Sequence, residues 1–244
     1  MNGRIRRRAT RVALATTTVI GLGSVLALAA APASGAATSR PTCSPTTVAA
    51  AQQQLEASLQ ARVVELAKLS GNVGAASNLT ASDRATLTAT LSSTTTGINA
   101  LVAKAPDDTT CLAVWTDARS MVQTYRVFAV VAPQTDLDIA ADTADAVEAT
   151  LVAQEPNIQA AITAAGKAGI STTAAQATFA DLQTQVTDAQ GLTGGIPATV
   201  LAQTPASYPG STPVFVSARD GLQTAAGQLR QANADLVAIV ADLR

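Results

Sequence analysis

The chain has 244 residues, of which 48% are hydrophobic, 14% charged and only 2% aromatic; it has no histidine, two cysteines and a formal charge of −1. The missing histidine excludes Ser–His–Asp triads, Cys–His dyads, HExxH zinc sites and histidine-ligated haem, and two cysteines cannot build a four-thiolate zinc or iron–sulfur centre. The scarcity of aromatics and the dominance of alanine in the apolar fraction disfavour a strand-rich fold and favour helix.

Arg4, Arg6, Arg7, Arg8 and Arg11 precede an uncharged stretch over residues 12–31, which runs into Ala31-Pro32-Ala33-Ser34-Gly35-Ala36-Ala37. This is the order of a secretory signal peptide: a basic start, an apolar middle and small residues for cleavage, placed here between Ala33 and Ala37. An uncleaved anchor is long enough to span a bilayer, but Thr16, Thr17, Thr18, Gly21, Gly23 and Ser24 weaken it. Twin-arginine export is disfavoured because Ala9-Thr10-Arg11 follows Arg7-Arg8, and a lipoprotein because Arg40-Pro41-Thr42 precedes Cys43. The chain therefore divides into an export segment (1–37), an extended segment (38–47) and a single helical-bundle domain (48–244), and its expected location is secreted or in the cell envelope. Without the export segment, eleven basic and seventeen acidic residues remain, a formal charge of −6. An acidic surface argues against nucleic acid or anionic lipid as partner. No second apolar run of about 18 residues follows, so no stable membrane span is expected after cleavage. In an exported chain without a CxxC pair, Cys43 and Cys111 are expected to form a structural disulfide. Closing that loop is worth on the order of 4 kcal/mol by chain entropy.

The first helix is expected from Thr46 or Thr47, with Val48, Leu55, Leu59, Val63, Leu66 and Leu69 on its apolar face and Gly71 and Gly74 as its stop. Thr80, with Asp83 three residues on, approximates a capping box for a second helix bearing Leu87, Leu91, Ile98, Leu101 and Val102. Asp107 or Asp108 opens a third. In it Cys111, Val114, Ala118, Met121, Tyr125, Phe128 and Ala132 alternate at three and four, a heptad seam that Trp115 and Val122 widen. Pro133 should break or kink it. A fourth helix runs from about Asp136 to Gly166 over Leu137, Ala140, Ala144, Val147, Leu151, Ile158 and Ile162, and Pro156 should kink or divide it. Ser171 or Thr172 caps a fifth, with Phe179, Leu182 and Val186, ending near Gly191. A short turn of helix is expected between Pro197 and Ala202, then a loop over 204–213. The last helix carries the longest seam: Phe215, Ala218, Leu222, Ala225, Leu229, Ala232, Leu236, Ile239 and Leu243. The expected fold is all-α, an elongated up-and-down bundle of five to six helices with coiled-coil-like seams.

Tyr125-Arg126-Val127-Phe128, with Pro133, Asp138 and Ala140-Ala141-Asp142 beyond it, resembles a segment of uncharacterised secreted helical proteins of actinobacteria. The resemblance extends over the Leu79–Leu87 helix start, the Tyr208-Pro209 loop and the last helix, most of the mature chain. It implies a secreted helical bundle and supplies no catalytic or binding residues.

The densest charge feature is Asp136, Asp138, Asp142, Asp145 and Glu148. Asp138, Asp142 and Asp145 fall at i, i+4 and i+7 and share a helix face. They make either a weak cation site or contact for a basic partner, or a solvated acidic face. Arg126 pairs with an acid, closes a kink, or extends to solvent. Trp115, Tyr125 and Phe128 either line an apolar ligand pocket or, by their seam spacing, pack in the core. No SxxK or other nucleophile motif is present, and the aromatics are too few for a glycosidase cleft. No catalytic, cofactor-binding or metal-ligating residues are expected. The expected function is an exported, non-enzymatic bundle acting on an unknown envelope or extracellular protein, or as a structural element; the alternative is a small-molecule or cation-binding bundle.

Overall fold

The computed structural model describes residues 44–244. The export segment, residues 38–43 and Cys43 lie outside the described residues, so the expected Cys43–Cys111 bridge does too. Among the described residues every regular element is helical, as the composition and spacing imply, and the protein is an all-α bundle. Seven α-helices follow in order: α1 (Pro45–Ala75), α2 (Ala81–Lys104), α3 (Cys111–Ser120), α4 (Ala132–Lys167), α5 (Thr173–Thr193), α6 (Ile196–Leu201) and α7 (Ser211–Asp242).

Local chemistry explains the boundaries. The Ser44 hydroxyl accepts from the Thr47 N–H, and Pro45 occupies the first turn, where its missing N–H costs nothing. The chain is thus already helical at 45–47, inside the segment expected to be extended. Gly71 and Gly74 do not stop α1, which runs on to Ala75. Thr80 caps α2, its hydroxyl accepting from the Asp83 N–H and donating to the Asp83 carboxylate at 2.7 Å. Thr110, not Asp107 or Asp108, caps α3 by accepting from the Ala113 N–H, after a 3-10 turn over Ala105–Asp107.

The described core falls into two clusters. In the first half, Leu55, Leu59, Leu66, Leu69 and Val73 of α1 meet Leu87, Leu91, Ile98 and Leu101 of α2, with Val114 of α3 and Val127, Val131 and Ala132 beyond it. In the second half, Leu137, Ala141, Ala144, Leu151, Ile158 and Ile162 of α4 meet Phe179, Leu182 and Val186 of α5, Ile196 and Val200 of α6 and the whole seam of α7. The expected seam is therefore present in α7: Phe215, Ala218, Leu222, Ala225, Leu229, Ala232 and Ile239 are buried. Near its N-terminus α4 presents these apolar residues to the second half and a polar stripe, Thr135, Asp138 and Asp142, on another side.

Neither Pro133 nor Pro156 interrupts a helix. Pro156 lies inside α4 without dividing it, and the helix spans 36 residues. Leu151, Ile158 and Ile162 on either side are anchored in the second core, which offsets the lost hydrogen bond. Pro133 sits in the first turn of α4 and breaks nothing. The break comes earlier. Two π turns, Met121–Tyr125 and Val127–Val131, flank Arg126, whose backbone is left-handed at φ 41°, ψ 44°. Wider turns take extra residues and shift the helical phase. Val127, Val130 and Val131 consequently turn inward, and Phe128 turns out.

Candidate functional site

The acidic face of α4 meets the turn between α1 and α2. Asp138 is fully buried, at 0% exposure, and Asp142 is 5% exposed, so the solvated reading of this face is corrected. Asp145 is half-buried. Asp142 Oδ2 accepts from the Thr80 N–H at 2.7 Å across 62 residues of sequence. The carboxylate of α4 thus satisfies a donor at the exposed start of α2, a placement the helix dipole also favours. Arg84, one turn into α2, donates to the carbonyls of Val73 and Ala76 at the end of α1. The result is a corner in which the end of α1, the start of α2 and the third turn of α4 are tied by polar contacts.

Asp138 differs from Asp142 in having no hydrogen-bond partner on either carboxylate oxygen. Its carboxyl is pushed up to about 7, first by burial and then by the charges of Asp83 and Asp142. Burial also raises Asp142, against the opposing effect of the Thr80 N–H. Asp136 is raised by burial, with Lys68 opposing and Glu65 adding to the shift. Glu148, 3% exposed, accepts from the Thr193 hydroxyl at 3.1 Å, and its pKa is raised by burial. Among the described residues no group of three or more His, Cys, Asp or Glu is arranged to hold a metal ion. Asp138, Asp142 and Asp145 share a face, as their spacing requires, without converging on one point as a cation site needs.

A second polar cluster lies at the start of α3. Lys104 Nζ bonds Asp117 Oδ1 at 2.6 Å, and buried Asp108 lies beside them. The Asp108 carboxyl is raised by burial and then by Asp117. Cys111, the first residue of α3, is half-buried. Neither Lys104–Asp117 nor Glu148–Thr193 stood out in the sequence, because both join residues on different elements.

Of Trp115, Tyr125 and Phe128, only Tyr125 packs against the core; the other two are placed otherwise than a core or an apolar pocket requires. Trp115 is 41% exposed and Phe128 44%. Each lies under a guanidinium: Arg119 sits 5.3 Å from the Trp115 ring centre and Arg62 5.0 Å from that of Phe128. Leu112, Trp115, Arg119 and Val122, at spacings of three and four, form an outward stripe over α3 and the first π turn. Tyr125 turns inward onto Gly97, where an added Cβ would overlap its ring. Arg126 stacks over Tyr208 at 4.3 Å, and its carbonyl accepts from the amides of Ala129 and Val130. Among the described residues Arg126 forms no ion pair; it sits at the break between the two π turns, half-buried against Tyr208.

A groove of about 400 Å³ lies beside Tyr125, between Thr90, Ser93 and Thr94 of α2 and Leu201, Gln203, Thr204 and Pro205 after α6. Its floor is fixed by Gln134, whose amide donates to the carbonyls of Val200, Leu201 and Gln203 at 2.9–3.1 Å. One α4 side chain thereby closes the C-terminus of α6. The groove is open to solvent and holds no charged side chain. No family model matches the chain, and no curated protein and no solved structure is significantly similar to it.

Proposed function

We propose that this is an exported, non-enzymatic helical-bundle protein of the actinobacterial type, working outside the cytoplasm or in the envelope by contact with another protein. The outward stripe of Leu112, Trp115, Arg119 and Val122 carries the reading. Leu112 is 64% exposed, Val122 48% and Trp115 41%. Trp and Arg are the residue types that most often anchor protein interfaces, and a stripe at three–four spacing suits a helical partner. Among the described residues, the buried carboxylates of Asp142 and Glu148 are engaged with Thr80 and Thr193 of neighbouring helices, and that of Asp138 is shielded from solvent. The signal-like residues 1–37 and the disulfide proposed between Cys43 and Cys111 belong to the same reading, since the bridge would fix the mature N-terminus beside the stripe.

The alternative, a small-molecule or cation binder, has less to rest on. Trp115 and Phe128 face outward instead of walling a pocket, and the acidic residues of α4 do not converge.

The test is affinity capture from envelope extracts with the mature protein and, in parallel, a Leu112→Ser/Trp115→Ala/Val122→Ser variant. Partners found with the wild type and lost with the folded variant support the stripe. An identical set of partners on both would contradict it. Two free thiols in protein recovered from outside the cell would refute the disulfide.

A further inference from the structure

The corner between α2 and α4 contains more negative charge than joining two helices requires. Asp142 alone satisfies the Thr80 N–H. Asp83 already serves the cap of its own helix. Asp138 adds a third carboxyl, fully buried and with both oxygens unpartnered. An ionised carboxylate in such a place is strongly disfavoured, whereas a neutral carboxyl is tolerated.

We propose that this corner is a proton-operated latch: a proton held on Asp138, with Asp83 and Asp142 as its charged neighbours, keeps the start of α2 seated on α4, and its loss releases the α1–α2 turn from the second half. Three features make the corner suited to this. It is local, because α1 and α2 end there and a turn separates them. Its polar tie to α4 is the single Thr80–Asp142 hydrogen bond, beside the apolar packing of Ile139 on the first cluster. Among the described residues, no cation is among the charges acting on Asp138. Asp83 of α2 and Asp142 of α4 are the charges acting on Asp138. Arg84 of α2 directs its guanidinium to the carbonyls of α1. Lys68 and Glu65 of α1 act on Asp136 instead.

The working range follows from linkage. The Asp138 carboxyl titrates at about 7 in the closed corner and returns to its ordinary range when solvated. The closed state therefore binds the extra proton, and its advantage is complete in acid and lost as pH rises through about 7. A metal ion is the other occupant two unpartnered oxygens admit, but no third carboxylate converges on them.

Hydrogen exchange of the full chain, corrected for intrinsic rates, tests this. Amides of residues 79–90 are expected to lose at least about tenfold in protection between about pH 5 and pH 8 while staying less protected than those of α5 and α7. Asp138→Asn, neutral at every pH, is expected to abolish the difference. Asp83→Asn, which removes one repelling charge and leaves the buried group in place, is expected to make the loss smaller and complete at lower pH. The same pH dependence in Asp138→Asn as in the wild type would overturn the latch. So would protection of residues 79–90 equal to that of α5 and α7 at every pH, since the turn would then open only with global unfolding. Restoration of protection at pH 8 by millimolar calcium in the wild type would identify a metal, not a proton, as the occupant and would likewise overturn it.

Discussion

The two halves of the molecule are built from the same residue types and held by different means. In the second half, α5 and α7 run side by side along long apolar seams, with Glu148, Thr193, Ser211 and Asp235 as the buried polar residues among them. In the first half, the apolar core of α1 and α2 is bordered by charges: Asp108 and Asp117 at one end, Asp138 and Asp142 at the other, each at most 5% exposed. Apolar contact is additive and insensitive to pH, whereas buried carboxyls make stability conditional on protonation. A long seam specifies its own partner by repetition. Where the seam is interrupted, as at Arg126, specific polar contacts between distant residues take over.

The largest expected effect probes the second half. Leu229→Ala, at a position 1% exposed in α7, should lower the unfolding free energy by about 2–5 kcal/mol. Urea melts followed by far-UV circular dichroism would read this. Separate transitions for the halves in this variant would show that α4 does not couple them.

The next effect is the pH dependence of stability. Burial raises Asp108, Asp136, Asp138, Asp142 and Glu148 alike. The folded chain therefore keeps protons that the unfolded chain has released, and stability falls as pH rises from the ordinary carboxylate range through about 7. The urea midpoint should be higher at about pH 5 than at about pH 8. A midpoint that rose instead would reverse the sign assigned to the buried acids.

Gly97→Ala comes third, because its methyl would overlap the Tyr125 ring; a cost of about 1–3 kcal/mol is expected. Pairing it with Tyr125→Ala should recover part of that loss relative to additivity, since the ring is the obstacle. A strictly additive double mutant would mean that the overlap is relieved elsewhere.

Arg126 gives a smaller and more discriminating comparison. Its left-handed backbone favours glycine, while its side chain stacks on Tyr208. Arg126→Gly and Arg126→Ala both lose the stacking, but only glycine relieves the backbone. The glycine variant should be the more stable of the two by about 1 kcal/mol. Equal stabilities would remove the backbone from the account of the break. The smallest effect is expected at Trp115→Ala, which should change stability by less than about 0.5–1 kcal/mol because the ring is largely on the surface.

The contrast between the halves also governs what the sequence discloses. The α7 seam is legible because its signal is local: one residue every three or four fixes the buried face whatever lies opposite. The Thr80 cap and the shared face of Asp138 and Asp142 are legible for the same reason. What that face meets is not, since the Thr80–Asp142 hydrogen bond joins residues 62 apart, and nothing in the spacing of the acids distinguishes a solvated face from a buried one. Extrapolating the heptad beyond Tyr125 to Phe128 fails because two π turns shift the phase, and Arg126 carries no local mark of a left-handed backbone. Pro156 misleads in the opposite direction: the local penalty is real, but packing around Leu151, Ile158 and Ile162 outweighs it.

Site-resolved hydrogen exchange at near-neutral pH tests the central contrast most directly. The seam amides of α5 and α7 should exchange only through global unfolding and show the highest protection in the chain. Those of the α1–α2 corner and the π turns should open locally and exchange faster by at least about tenfold. Uniform protection across both halves would contradict the account, as would higher protection at the corner than in α7.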